Sequence, residues 1–196
     1  MKIRIHLTTG ESFEFTQNNE VHINYIFDSL KKSKLFGRPQ IIIHDSLRTN
    51  GFACERVDYV EFLTERKPDW NPVQELDRLV TLPKEVYEKN AQEICEKMEK
   101  SQISEQAGEK FSGLAEFIMR SGKRLFFEYE VSSFHRLDQR LLMQHFLESG
   151  EFLAEMQEGG YCIINSSNIS RWVLTPGLSE AARISWTAEP PKRCDI

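Results

Sequence analysis

Residues 2–7 read Lys-Ile-Arg-Ile-His-Leu, a strict alternation of polar and apolar positions, and Ser12-Phe-Glu-Phe-Thr16 alternates in the same way. A period of two marks a strand with one buried face, and Gly10 between the two runs predicts a hairpin turn. The period then changes. Ile23, Ile26, Phe27 and Leu30 recur at helical spacing, Asn18 or Asn19 offers a cap, and Gly37-Arg38-Pro39 supplies the stop of a helix of about three turns. Ile41-Ile42-Ile43 is β-branched and too short for a helix. Arg48 to Gly51 reads as a turn into Phe52-Ala53-Cys54, and Val57 to Phe62 completes another strand. The first third of the chain therefore predicts the order β-β-α-β-β-β.

The last third predicts that order again. Ala115 to Met119 and Arg124 to Glu130 flank Ser121-Gly122-Lys123 as a second hairpin, and Leu137, Leu141, Leu142 and Phe146 mark a second helix that stops near Gly150. Glu151 to Met156, Gly159 to Ile164 and Asn168 to Leu174 supply three more strands. Gly10 matches Gly122, Gly51 and Cys54 match Gly159 and Cys162 at an identical interval, and Val57 to Phe62 answers Ile169 to Leu174. The likeness is one of pattern, with little residue identity. It predicts an α+β protein of two similar ββαβββ units, residues 1–66 and 113–196. Each carries a curved antiparallel sheet that could roll into a small open barrel, and the second includes the C-terminal tail. Units of this size are marginal alone, so they are expected to pack on each other or on another chain.

Residues 67–112 differ in character. Arg66 to Pro72 is a loop by its two prolines, and Leu82-Pro83 opens a helix whose Val86, Tyr87, Ile94, Cys95 and Met98 form an apolar stripe. Ser101 to Lys110 is polar and aromatic-free, a flexible connection into the second unit. In the tail, Ile184 and Trp186 precede Pro190-Pro191, so a docked strand or turn is expected there, followed by mobile terminal residues.

Composition narrows the function classes. The 196 residues are 40% hydrophobic and 28% charged, which is ordinary for a globular chain. No stretch is long and apolar enough to span a bilayer, and the opening residues alternate where a secretory leader would run apolar, so a soluble cytoplasmic protein without a membrane partner is expected. The net charge is −5, with no basic segment to drive phosphate-backbone binding. The densest cationic group, Lys31, Lys32, Lys34 and Arg38, falls at the end of the first predicted helix, where cations complement the dipole. Cys54, Cys95, Cys162 and Cys194 are too scattered for a zinc site and are expected to be reduced. Asn165 and Asn168 each match the N-glycosylation pattern, which has no consequence in a protein that is not secreted.

Candidate chemistry is sparse. His44-Asp45-Ser46 sets three residues of hydrolytic type side by side, but neighbours on a strand point to opposite faces, and a turn opened by Asp-Ser is the simpler account. His135 and His145 lack the helical spacing of a metal pair, and His6 and His22 are isolated. Glu128 with Glu130 and Glu11 with Glu14 are carboxylate pairs; the first lies on one strand face, with Phe127 and Tyr129 marking the other face as buried. Gly159-Gly160 lacks the rest of a phosphate loop. Trp70, Trp172 and Trp186 with Arg171 and Arg183 have the types that stack bases, although core roles explain Trp172 more simply. The sequence thus assigns no catalytic residue, no cofactor and no metal ligand. It points to a non-enzymatic binding or assembly module whose partner is another protein or a second copy of itself. A single-stranded nucleic-acid binder on a barrel-like sheet is the alternative, and an enzyme with a site between the two units a third reading.

Overall fold

The order of elements follows the alternation and helical periods closely. In the computed structural model, which describes residues 1–45, 47–71, 73, 76–99, 111–131 and 148–177, the chain is α+β and mostly strand. The first part contains β1 (Lys2–Leu7), β2 (Ser12–Thr16), α1 (Glu20–Lys32), β3 (Gln40–His44), β4 (Thr49–Ala53) and β5 (Val57–Leu63). Then come β6 (Arg78–Thr81) and α2 (Lys84–Glu99), followed by β7 (Phe111–Met119), β8 (Arg124–Val131), β9 (Glu151–Glu155), β10 (Tyr161–Asn165) and β11 (Ile169–Thr175). Single 3₁₀ turns, Cys54–Arg56 and Ser166–Asn168, lead directly into β5 and β11. The helix expected around Leu137 to Phe146, the Ser101–Lys110 connection and the tail beyond Gly177 lie outside the described residues.

Local chemistry explains the helices. Asn19 Oδ1 accepts from the backbone N–H groups of Val21 and His22 at 2.9 and 3.4 Å, capping α1, and Glu20 sits in the first turn with Lys31 and Lys32 in the last. Ile23, Phe27 and Leu30 form its buried face. On α2 the buried line is Tyr87 and Ala91, packed with Leu114 and Phe126 and flanked by Ile94. Val86, expected in that stripe, is 40% exposed, because the i, i+4, i+7 row from Tyr87 to Ile94 faces the sheet instead.

Pairing departs from two separate sheets. Nine strands join in one sheet, in the order β11-β7-β8-β6-β9-β10-β5-β1-β2, and β3 with β4 forms a separate ribbon. Two features of the sheet were not anticipated. The connector contributes β6, which pairs antiparallel with β8 and parallel with β9. The edge of β5 is covered by β10, antiparallel, with Val60 opposite Ile163 and Phe62 opposite Tyr161. The sheet coils strongly: the rings of Phe117 on β7 and Phe152 on β9 approach to 5.4 Å across two intervening strands, where a flat sheet would hold them about 14 Å apart. It does not close; β11 and β2 end it.

The hydrogen-bond register also repeats along the chain, at the interval that separates Gly10 from Gly122. Ile5 faces Phe13 on one side and Val60 on the other; one such interval later Phe117 faces Leu125 and Trp172. The β1–β5 ladder skips Asp58 in a bulge, and the β7–β11 ladder skips Ser170, displaced by the same interval. Gly10 and Gly122 themselves occupy the two hairpin turns with φ of 87° and 83°. One matched pair does not follow this register. Gly51 lies inside β4 and Cys54 opens a 3₁₀ turn, whereas Gly159 sits in the turn before β10 and Cys162 lies within that strand.

Two buried asparagines tie the later strands to the earlier ones. Asn165 Nδ2 donates to the carbonyls of Cys54 and Val57, both at 3.0 Å, and Asn168 Nδ2 donates to those of Glu55 and Val57 at 3.1 and 2.8 Å. A side chain at Gly160, which holds φ of 90°, would collide with the carbonyl oxygen of Phe62 in the same seam. Asn168→Ala removes two amide hydrogen bonds at a 1% exposed position, leaving the Val57 carbonyl with only its Asn165 donor and the Glu55 carbonyl without its amide donor, so it should lower the free energy of unfolding by about 2 kcal/mol. Urea titration of the variant checks this, and a loss below about 0.5 kcal/mol would contradict the seam as described.

Candidate functional site

Among the described residues, those of catalytic type do not converge. His44 ends β3 at an exposed position, and Asp45 is engaged in its own turn, Oδ1 accepting from the N–H groups of Leu47 and Arg48, both at 2.7 Å. Those two donors hold the Asp45 carboxyl below its usual range. Ser46 lies outside the described residues, as do His135, His145, Arg183, Trp186 and Cys194. His22 is exposed beside Gln17, while His6 stacks on Tyr59 at 4.1 Å with Nε2 3.3 Å from Glu61. Among the described residues no three His, Cys, Asp or Glu side chains group as metal ligands would.

Charged groups single out mostly one another. Glu14 pairs with Lys2 and Arg4 at 3.1 and 2.9 Å, while Glu11 accepts from Thr9, so that carboxylate pair is divided. Glu130 and Glu128 stand on β8 opposite the buried Phe127 and Tyr129, and Glu130 lies 3.8 Å from Arg78. The basic group closes α1: Arg38 donates to the Ser29 carbonyl at 3.0 Å and to Ser33 Oγ at 2.6 Å, and Lys31 pairs with Asp69. Trp70 packs edge-on to Phe27 at 6.2 Å, and Trp172 is half-buried against the cluster around Phe117.

What the fold does assemble is the seam between β5 and β10, together with several strand edges. Buried polar residues that pattern alone does not assign include Asn165 and Asn168 at the seam and Glu151 at the start of the neighbouring β9. The first two carry the glycosylation pattern, yet their Nδ2 atoms, where a sugar would attach, are buried donors to backbone carbonyls. Glu151, 3% exposed, accepts from the N–H of Phe36 at 3.1 Å in the 3₁₀ turn Leu35–Gly37 that follows α1. Lys34 bonds the carbonyl of nearby Ser149. Burial pushes the Glu151 carboxyl up, opposed by the N–H groups of Phe36 and Leu35 and by the charges of Lys34 and Arg38. A polar residue bounding an apolar strand run is the only trace of these roles in the sequence.

The edges are β2, where Phe13 is 41% exposed, and the ribbon, where Ile42 is 62% exposed on β3. Phe13 and Phe15 lie against Phe52 of β4 at 5.4 and 5.9 Å, so the ribbon leans on the end of the sheet. Among the described residues, the outer side of β4 and the outer side of β11 carry no strand. Along β11, Ser170 and Arg171 are exposed and Trp172, Val173 and Leu174 half-buried. No protein-family model, curated protein or solved structure matches this chain.

The raised Glu151 carboxyl fixes a sign. A carboxylate that takes up its proton more readily in the folded chain contributes its stability below the ordinary value of about 4.5 and loses it as pH rises through the folded pKa. Glu151→Gln keeps an acceptor for the Phe36 N–H without the charge. Its unfolding free energy should therefore gain on the parent as pH is raised from 4 to 8 in parallel urea titrations. A variant-minus-parent difference that stays constant or falls over that range contradicts the placement of this carboxylate.

Proposed function

We propose that the protein is a non-enzymatic assembly module built from two copies of one ββαβββ unit, residues 1–66 and 113–196, joined by the connector 67–112. The single observation that carries this reading is the ladder register that recurs at the Gly10-to-Gly122 interval, bulges and turn glycines included. Ladder register follows from the side-chain pattern and the turn geometry together. A shared bulge site is a device retained with a fold and has no other reason to fall at the same place twice. The 3₁₀ turns before β5 and β11 and the hairpins β3–β4 and β9–β10 stand in the same order in each half.

The mode of association inside the chain supports the functional part. One half joins the other by strand addition, β10 against β5, and strand addition is a common way for sheets to recognise other chains. The partner is a second copy of this chain. The nucleic-acid reading draws less support, because the helix-end cations are engaged with Asp69, Ser29 and Ser33 and Trp70 packs in a core.

Light scattering on the size-exclusion eluate tests the reading. At tens of micromolar the mass should exceed that of one chain and fall toward it on dilution. A single-chain mass at the highest attainable concentration overturns it.

A further inference from the structure

The intramolecular seam has a complementary half that the chain leaves unused. Within one molecule, β10 of the second half docks antiparallel on β5 of the first, with Tyr161 opposite Phe62, Cys162 opposite Glu61, Ile163 opposite Val60 and Ile164 opposite Tyr59. At the interval that carries Gly10 onto Gly122, the counterpart of β10 is β4, and the counterpart of β5 is β11. Both have an outer side without a strand neighbour among the described residues, as β2 and β3 also do, but only β4 and β11 stand in the places that β10 and β5 take in the internal seam. They belong to opposite halves, so the match that β10 and β5 make within the chain is left open at its two ends.

We propose that the outer edge of β4 in one copy pairs antiparallel with the outer edge of β11 in the next copy, so that the chain assembles head to tail. The proposal rests on the reading of the two halves as copies of one unit that self-associates. Carrying the internal register across sets Thr49 opposite Leu174, Asn50 opposite Val173, Gly51 opposite Trp172 and Phe52 opposite Arg171. The Gly51–Trp172 pair fits sterically. Gly51 is exposed, and a Cβ placed there would meet only the Gln40 amide oxygen, at 3.4 Å, so the strand offers an open site across from a half-buried indole. A large aromatic side chain lying over a cross-strand glycine is a favourable arrangement in sheets.

The contact between copies is weaker than the internal seam for identifiable reasons. Thr49 and Gly51 stand where Tyr161 and Ile163 bury their side chains, and Ala53 and Arg56 stand where Asn165 and Asn168 clasp the backbone. Less apolar area and no amide clasp give a dissociable interface. Because its two surfaces differ, the interface is heterologous, and each copy carries one of each.

That property supplies a decisive experiment. Gly51→Lys sets a long charged side chain at the open site, and Trp172→Lys removes the indole. Each variant retains one intact surface without its complement, so each alone should run as a single chain by light scattering, while an equimolar mixture should give a one-to-one dimer through the two surfaces that remain. As a measure independent of any loss of folding at Trp172, Asn50→Cys mixed with Val173→Cys should form a disulfide-linked dimer under mild oxidation, well above the parent protein and either variant alone. If the parent assembles but both lysine variants assemble as well as it does, or if their mixture stays single-chain and the cysteine pair does not link, the strand assignment is wrong while self-association stands. If the parent never exceeds one chain even when concentrated, the underlying reading fails with it.

Discussion

The antiparallel contact of β10 with β5 is the constraint on which the rest of the architecture depends, because both strands are buried on both faces. Alternate side chains of β10 enter different cores: Tyr161 and Ile163 join Phe27, Val60 and Phe62 beneath α1, while Cys162 and Ile164 join Phe117, Phe127 and Phe152. Tyr59 on β5 reaches the second cluster, and its neighbours Val57 and Val60 belong to the first. Each large apolar side chain so buried contributes about 1.5–3 kcal/mol, and all of it requires the two strands to stay together. Separating the halves would expose one face of each strand and leave the carbonyls of Cys54, Glu55 and Val57 without their asparagine donors.

Burial at this seam also sets the chemistry of the groups nearby. Tyr59 and Tyr161 have their phenols pushed well above the ordinary range by burial first, and Cys162 is raised by burial and by the neighbouring Glu61 charge, so these groups stay neutral. Neutral, buried side chains suit packing and do not supply a nucleophile. On the rim, Arg4 bridges Glu14 and Glu61 across three strands. A sheet whose end strands have an unpaired side among the described residues presents backbone groups to its surroundings.

Strand by strand, the fold was legible where period and punctuation agree. The alternations of β1, β2 and β8, the hairpin glycines Gly10 and Gly122, and a cap of α1 at Asn18 or Asn19, which Asn19 makes, are readable from residue type. The run Tyr161-Cys162-Ile163-Ile164 is apolar without alternation, the mark of two-sided burial, but pattern does not name the partner strand. β6 was hidden because Arg78-Leu79-Val80-Thr81 is only four residues long and follows a proline-containing loop, too short for any period to register. Gly51 reads as a turn residue although the turn is made earlier, by Asp45. The polar members of the seam were illegible for a different reason: Asn165 and Asn168 owe their roles to carbonyls far back in the chain, and no local signal encodes that distance.

If the β5–β10 contact makes the two halves one cooperative body, native-state amide hydrogen exchange will register it directly. The slowest amides of β5, β10 and β8 should exchange through one opening, with a common free energy equal to that of global unfolding by denaturant. Amides of β10 and β8 that exchange together through a distinctly cheaper opening, while β1 and β5 remain protected, would show two independent bodies and contradict it.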